Sequence, residues 1–282
     1  MNYWRFPTFI PIMSSIQDLI TTVYRQYYIT QCVHFSSLAF LLWDYIVTFP
    51  DEVELFWTGK WSYPRVLFFV NRYQGIGWQI VHTIGIITVT KPGFEQVGHV
   101  WMHNMIIISA VSGLIPVQLI LSFRVYGLYN RARWIIAFFA VAILATTAAE
   151  LYIVIKLSPA VTQISIPFLK ISACQPTPGT ASHLYLAPIP ALIFDIPAFL
   201  LVLLRGVSHL KAQRNVGFRG ATLIRLLVRD SIQYFLIIVV VYSGSVIAFI
   251  KLPDIETFAT FTYTASIISV SASRMLINLR KH

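Results

Sequence analysis

The hydrophobic positions of the chain fall into seven long blocks, separated by short polar stretches. A membrane-spanning helix needs roughly 20 mostly apolar residues, and every block has about that length. The blocks cover residues 29–49, 66–89, 100–123, 134–155, 184–204, 231–250 and 257–277. The pattern predicts an all-α fold, a polytopic membrane protein whose seven transmembrane helices form one bundle over residues 29–282.

Residues 1–28 precede the first block and do not resemble a signal peptide, because prolines interrupt their only apolar run. Ser15 and Asp18 have the spacing of a capping box, and apolar residues recur on one side of the segment 15–28. This segment is therefore either a short amphipathic helix or a helical extension of the first span.

Composition supports a membrane protein. Of the 282 residues, 57% are hydrophobic and 11% are charged, and the mean hydropathy is +0.70. Soluble domains carry about 25% charged residues. Motifs typical of soluble hydrolases and nucleotide-binding enzymes are missing, so we expect neither an enzyme nor a bound cofactor.

The distribution of positive charge predicts the orientation. Cytoplasmic loops of membrane proteins are enriched in Lys and Arg. Of the 21 basic residues, thirteen lie on the side of the membrane that holds the C-terminus, six lie on the opposite side, and two lie within spans. We expect an outer N-terminus and a cytoplasmic C-terminus, and we attribute the net charge of +10 to topology and not to nucleic-acid binding.

The third inner loop is the most basic part of the chain. It could be only a topology signal that also contacts anionic lipid, or it could be a docking site for a cytosolic protein. Its basic residues are Arg205, Lys211, Arg214, Arg219, Arg225 and Arg229.

Two opposite charges lie inside the first two spans. Asp44 is five residues, or ~7.5 Å, from the inner end of the first span, and Arg72 is seven residues, or ~10 Å, past Arg65. Because an unpaired charge within a bilayer is costly, we expect an Asp44–Arg72 ion pair. It could be a fixed clasp or a switch that opens during function.

The segment between these spans carries competing acids at residues 51, 52 and 54, which we expect at the water interface. Asp51 and Glu54 have capping-box spacing, and Trp57 and Trp61 recur at helical spacing. This pattern predicts a short helix lying flat on the membrane.

The segment 38–73 resembles the signature of a basidiomycete fungal family of multi-pass membrane proteins defined by a domain of unknown function. The matching residues are Asp44, Tyr45, Thr48, Glu52, Val53, Trp57, Trp61, Leu67, Phe68, Arg72 and Tyr73. Four later segments also resemble this family: residues 123–134, 203–210, 226–235 and 271–280. The resemblance implies a fungal origin and seven helices; residues 29–75 form the signature hairpin. It implies no biochemical activity, because the family has none assigned.

Further ionisable residues lie within the spans: Asp195, Glu150, His82 and His103. Such groups usually face the bundle interior or a wet cavity. They could line a pocket for a small molecule, or a proton path that opens outward. Alternatively, each could hydrogen-bond to a neighbouring helix. Their spacing matches no set of metal ligands, so we predict no metal site.

The two cysteines, Cys32 and Cys174, are both expected near the outer face. Disulfides persist on that side of a membrane, so a bridge is possible. Free thiols are the alternative.

Three kinds of function fit these features. A receptor-like seven-helix protein accounts for the outer polar residues and the basic inner loop. A small transporter or channel would use the intramembrane acids and histidines, although no inverted repeat is visible. A non-catalytic organiser of lipids or partner proteins is the third. The sequence leaves undecided whether the protein resides in the plasma membrane or an internal one.

Overall fold

The computed structural model describes residues 9–89, 95–157, 161–166, 171–176, 186, 188–213, 221–251 and 254–281. Seven α-helices lie within these ranges: α1 Phe9–Glu52, α2 Tyr63–Val89, α3 Glu95–Leu128, α4 Arg133–Leu157, α5 Ile189–Gln213, α6 Ala221–Lys251 and α7 Asp254–Lys281. A π-helix, Val53–Trp57, follows α1 directly. Two strands, β1 Val161–Ile166 and β2 Ile171–Pro176, lie between α4 and α5.

The first helix is longer than the first hydrophobic block. It runs without a break through residues 15–28. This segment is therefore a helical extension of the first span and not a separate amphipathic helix. At its other end it continues past Pro50 to Glu52. The prediction of a separate helix lying flat on the membrane between the first two spans is therefore wrong, because α1 and the π-helix occupy most of residues 51–61.

The helices form a closed ring in which each packs against the next and α7 packs against α1. Contacts of α7 with α2 and α3, and of α3 with α5, fill the interior. Ser37 of α1 meets Ser266 of α7, and Asp44 meets Arg274 farther along both helices. These two helices are therefore parallel. Gln79 and Arg72 of α2 meet α1 in the reverse order, so α2 is antiparallel to both.

We call the end of the bundle where α1, α3, α5 and α7 finish the basic end. Lys281 lies there, 2.8 Å from Asp51. The opposite end is the hairpin end. There β1 and β2 pair antiparallel, from Val161 opposite Pro176 to Ile166 opposite Ile171. The hairpin contacts α3 and α7 and is the one departure from helix among the described elements.

Polarity is inverted relative to a water-soluble protein. Large apolar side chains cover the outside, as at Trp43 and Leu144, which are 66% and 71% exposed. Polar side chains such as Ser37, with no exposed surface, fill much of the inside. Exposed apolar patches of this extent indicate a surface that contacts something other than water. A lipid bilayer meets that requirement.

Length and composition identify five helical stretches within the described residues that could cross a membrane. They are Ile20–Trp57, Ile107–Leu128, Arg133–Lys156, Ile189–Ser208 and Val228–Ala248. The chain is thus a helical protein with several membrane-spanning segments. The two helices outside this set, α2 and α7, carry buried polar groups such as Asn71, Gln79 and Ser273. The count of seven spans and the orientation of the termini remain predictions.

Candidate functional site

Four charged side chains meet where α1 and α2 contact α7, near the basic end. We call Asp44, Glu52, Arg72 and Arg274 the ion-pair cluster. Arg72 Nε lies 2.6 Å from Glu52 Oε2, and Arg72 Nη1 lies 3.6 Å from Asp44 Oδ2. Arg274 Nε donates to Asp44 Oδ1 at 2.6 Å. Two acids and two arginines therefore balance, and three of the four side chains are buried.

Glu52 is the closest acidic partner of Arg72, although the sequence suggested a residue at the water interface. It has no exposed surface. Tyr73 Oη donates to its Oε1 at 2.7 Å, and Trp57 Nε1 donates to the same oxygen at 3.1 Å. The π-helical turn carries Trp57 back over Glu52, and this turn is the reason that the acid is covered.

Arg72 also has neutral partners. Its Nη2 donates to Thr48 Oγ1 at 2.7 Å and to the carbonyl oxygen of Tyr45 at 3.1 Å. The guanidinium carbon lies 4.9 Å from the centre of the Tyr45 ring. A buried charge with this many partners is well compensated. These contacts tie α2 to α1.

The segment between α1 and α2 is held by two further arginines. Arg65 donates to the carbonyl oxygens of Gly59 and Trp57 at 2.6 and 2.7 Å. Arg280 of α7 donates to the carbonyl of Leu55, and partial burial, followed by the charge of Arg65, lowers the pKa of its guanidinium. Gly59 has φ of +94°, a conformation that favours glycine.

A second charged group, which we call the Arg124 junction, links α3, α6 and α7. Arg124 Nη2 lies 3.9 Å from Asp230 Oδ2 and donates to the carbonyl oxygen of Met275 at 3.2 Å. Its Nη1 donates to Ser231 Oγ at 3.1 Å. Both Arg124 and Asp230 are buried. Sequence reasoning noticed the "FRVY" that contains Arg124 but did not predict this pair.

The Arg124 junction is poorly satisfied in comparison with the ion-pair cluster. Arg124 Nε and both carboxylate oxygens of Asp230 are buried without a hydrogen-bond partner among the described residues. Arg72 Nε and Glu52 Oε2 also lack a well-aligned hydrogen bond, but they lie 2.6 Å from each other, whereas Arg124 and Asp230 are 3.9 Å apart. The exposed Arg229 reaches Asp230 only at 3.7 Å. Buried charges with incomplete partners are less firmly held than those in a complete network. This is the looser of the two charged sites.

A cavity of about 20 Å³ lies beside the junction between α3, α5 and α6. Arg124, Asp195, Ser231 and Tyr234 contribute its polar groups, and the rest of the lining is apolar. Tyr234 Oη is buried and has no described hydrogen-bond partner. A volume of this size holds about one water molecule. It is too small for an organic ligand in this state.

The residues predicted to share one cavity are divided between different parts of the bundle. Asp195 lines the cavity beside Arg124, but Glu150 and His82 do not. Glu150 is buried on α4 with Oε2 unpaired among the described groups. His82 lies on α2, with its ring centre 6.4 Å from that of Trp78. His103 belongs to α3, but its side chain is outside the described part of the structure.

Only part of the basic inner loop is described. Arg205 donates to the carbonyl oxygen of Leu128 at 3.3 Å and stacks over Tyr129, whereas Arg229 is exposed. Lys211 and Arg225 lie within α5 and α6, but their side chains are not described. Arg214 and Arg219 fall in the undescribed segment 214–220.

Cys32 is an exposed free thiol on α1. Cys174 lies in β2, and its side chain is outside the described residues. The structure therefore gives no support to a bridge between them. Among the described residues there is also no group of three or more potential metal-binding His, Cys, Asp or Glu side chains.

Sequence reasoning missed the polar interior of α1, although a periodic signal was present. Thr30, His34, Ser37, Asp44 and Thr48 are all buried. Their spacings are 4, 3, 7 and 4 residues, which place them on one face of a helix. In an apolar span, the polar stripe marks the inward face.

One segment of the chain matches a known family model. Residues 32–77 match the model of a family of unknown function, DUF6533. The matched segment contains Asp44, Glu52 and Arg72, so it carries three members of the ion-pair cluster. The chain has no significant match among curated proteins.

Proposed function

We propose that the chain is a receptor-like seven-helix membrane protein in which the Arg124 junction is the switch and the ion-pair cluster is the fixed support. The N-terminus lies outside and the basic end faces the cytoplasm. A small molecule acts from the hairpin end, and a cytosolic protein responds at the third inner loop. The proposal keeps the fungal origin that the sequence resemblance implies and includes no catalytic step.

The contrast between the two charged sites is the observation that supports this function. Arg72 has four polar or ionic partners within 3.6 Å and an aromatic contact with Tyr45, whereas the Arg124–Asp230 pair is 3.9 Å apart. Switching elements come from the less stable parts of a structure. Arg124 joins three helices, so its release would remove one polar link between α6 and both α3 and α7.

The test measures the separation of α3 and α6. Spin labels are placed at Gly127 of α3 and Gln233 of α6, both exposed, in full-length protein lacking both cysteines and reconstituted in nanodiscs. We expect Asp230→Asn to add a population with a longer distance, because Arg124 loses its counter-charge. Arg229→Gln is the matched control, since it removes an exposed charge beside Asp230, and it should leave the distance unchanged.

Unchanged distances in both Asp230→Asn and Arg124→Gln would contradict a switch at this site. A small molecule that acts as the ligand should shift the distance distribution of the wild-type protein in the same direction as Asp230→Asn. Binding of a compound without any shift would argue for a site unrelated to the junction.

A proton pathway is the second candidate, supported by the unpaired buried groups of α4–α6. Asp195, Glu150 and Tyr234 are buried, and Glu150 Oε2 and Tyr234 Oη have no hydrogen-bond partner among the described residues. Asp195 and Tyr234 both line the cavity. Liposomes with an internal pH-sensitive dye provide the test. Asp195→Asn should abolish proton flux, and Glu54→Gln, an exposed acid, should not. Wild-type liposomes without flux would exclude this candidate.

A further inference from the structure

Arg274 has hydrogen-bond donors that the protein does not use. Its Nε donates to Asp44 Oδ1 at 2.6 Å, yet 54% of the side chain is exposed. No described residue accepts a hydrogen bond from its two terminal nitrogens. The guanidinium is thus anchored on one side and open to the surroundings on the other.

The surroundings at this depth are apolar. Arg274 precedes Lys281, which is at the basic end, by seven residues, or ~10 Å of helix. On α1, Phe40, Trp43 and Val47 lie on the side of Asp44 turned away from Tyr45, and all three are exposed. A guanidinium beside such side chains finds little water within a bilayer, so its open N–H groups require another acceptor.

Polar side chains lead from Arg274 to the end of α7. Arg274, Asn278 and Lys281 are all exposed, and their spacings of four and three residues place them on one face of the helix. Arg65 and Arg280, near the same end, donate to neutral oxygens and have no acidic partner among the described residues. Lys281 pairs with Asp51 at 2.8 Å, so Arg65 and Arg280 supply the positive charge that no described acid balances at this end.

We propose that this face of α7, with the adjoining face of α1, is a binding site for one anionic phospholipid. The phosphate accepts from the terminal nitrogens of Arg274, whose planar fork suits a bidentate contact with phosphate. Asn278 contacts the remainder of the headgroup, and Lys281, which pairs with Asp51 at 2.8 Å, adds positive charge beside it. The acyl chain lies along Trp43 and Val47. The site uses Arg274 of the ion-pair cluster and does not require the Arg124 junction to act as a switch.

Native mass spectrometry of the purified full-length chain tests the site. The protein is titrated with phosphatidylserine or phosphatidylcholine, and bound lipids are counted. We expect wild-type protein to bind one phosphatidylserine preferentially. Arg274→Gln should weaken that binding about fivefold, corresponding to ~1 kcal/mol for one basic residue at a membrane surface. Arg274→Lys, which keeps the charge but loses the planar fork, should weaken binding less than Arg274→Gln does.

Arg229→Gln is the matched control. Arg229 is also exposed, and its Nε also faces a buried aspartate, Asp230, at 3.7 Å. It should leave lipid binding unchanged. Equal loss in Arg229→Gln and Arg274→Gln would indicate non-specific charge attraction and overturn the site, as would unchanged binding in Arg274→Gln. Equal binding of the two lipids would overturn the anionic preference. A melting curve for each variant excludes unfolding as the cause.

Discussion

Glu52 connects the first helix, the π-helical turn and the second helix through its two carboxylate oxygens. One oxygen pairs with Arg72, and the other accepts from both Tyr73 and Trp57. Removing one partner of a buried ion pair is far more harmful than replacing both, because the remaining charge stays buried without compensation. The stability of the hairpin α1–α2 therefore depends on this acid.

Glu52→Gln should lower the free energy of unfolding by about 3–5 kcal/mol, since Arg72 would keep Asp44 only at 3.6 Å. The free energy of unfolding is measured in mixed micelles by titration with a denaturing detergent. Glu54→Gln, an exposed acid two residues away, serves as the comparison and should change stability by less than about 0.5 kcal/mol. A similar effect of the two substitutions would refute the buried role of Glu52.

The similar depth of Asp44 and Arg72 in the membrane could be predicted from the sequence, because depth follows from the helix rise and the direction of each span. The sequence did not rank the acids correctly. Whether Glu52 is buried depends on the π-helical turn, which displaces Trp57 and Phe56 relative to an α-helix. Phe56 then stacks on Phe68 with ring centres 3.8 Å apart. A one-residue change in helical winding leaves no mark in hydrophobic periodicity.

At the scale of elements, small residues and hydroxyl groups determine how closely helices approach. Gly206 of α5 faces Val228 of α6 so closely that a Cβ there would lie 2.4 Å from Val228 Cγ2. Ser245 of α6 and Thr264 of α7 share a hydrogen bond of 2.6 Å. Small residues and hydroxyl hydrogen bonds are typical of helix contacts in membranes.

Gly206→Ala should destabilise the protein by about 1–3 kcal/mol, because the added methyl group must push α5 and α6 apart. The same substitution in a Val228→Ala background should cost much less, and a double-mutant cycle measures the difference.

Gly113→Ala is the control for the effect of alanine itself. A Cβ at Gly113, in the interior of α3, would meet no atom within 4 Å. It should be neutral or stabilising by up to ~1 kcal/mol, because alanine favours a helix. Equal costs at both glycines would rule out the close contact.

The sequence foresaw the hydrophobic blocks but not which face of each helix turns inward. Alternation of apolar and polar residues reveals the inward face of a helix that lies between water and an apolar core. A helix in a bilayer instead faces apolar lipid on its outer side and both polar and apolar side chains on its inner side. The difference in hydrophobicity between its two faces is therefore small. The hairpin β1–β2 lies between two of the long apolar blocks, and the block pattern predicts helices only, so it gives no sign of these strands.

At the scale of the whole molecule, all seven described helices form one ring whose ends differ in charge. If the basic end faces the cytoplasm, the region between β2 and α5 lies outside and the region between α5 and α6 lies inside. The positive-inside rule supports this direction.

A glycosylation acceptor inserted within residues 177–180 should therefore be modified in cells, and one inserted within residues 214–220 should not. The size shift on a gel, and its removal by a glycosidase, provide the measurement. Modification at 214–220 alone would reverse the topology, and it would also reverse the direction of signalling in the proposed function.

The polar contacts of α7 have a consequence for how the protein is made. Ser266, Ser269 and Ser273 bond to residues of α1 and α2, and Arg274 bonds to Asp44. Until α7 is synthesised and packs against α1 and α2, these hydroxyl and carboxylate groups of the first hairpin therefore lack their partners. A chain truncated before α7 should expose them within the membrane.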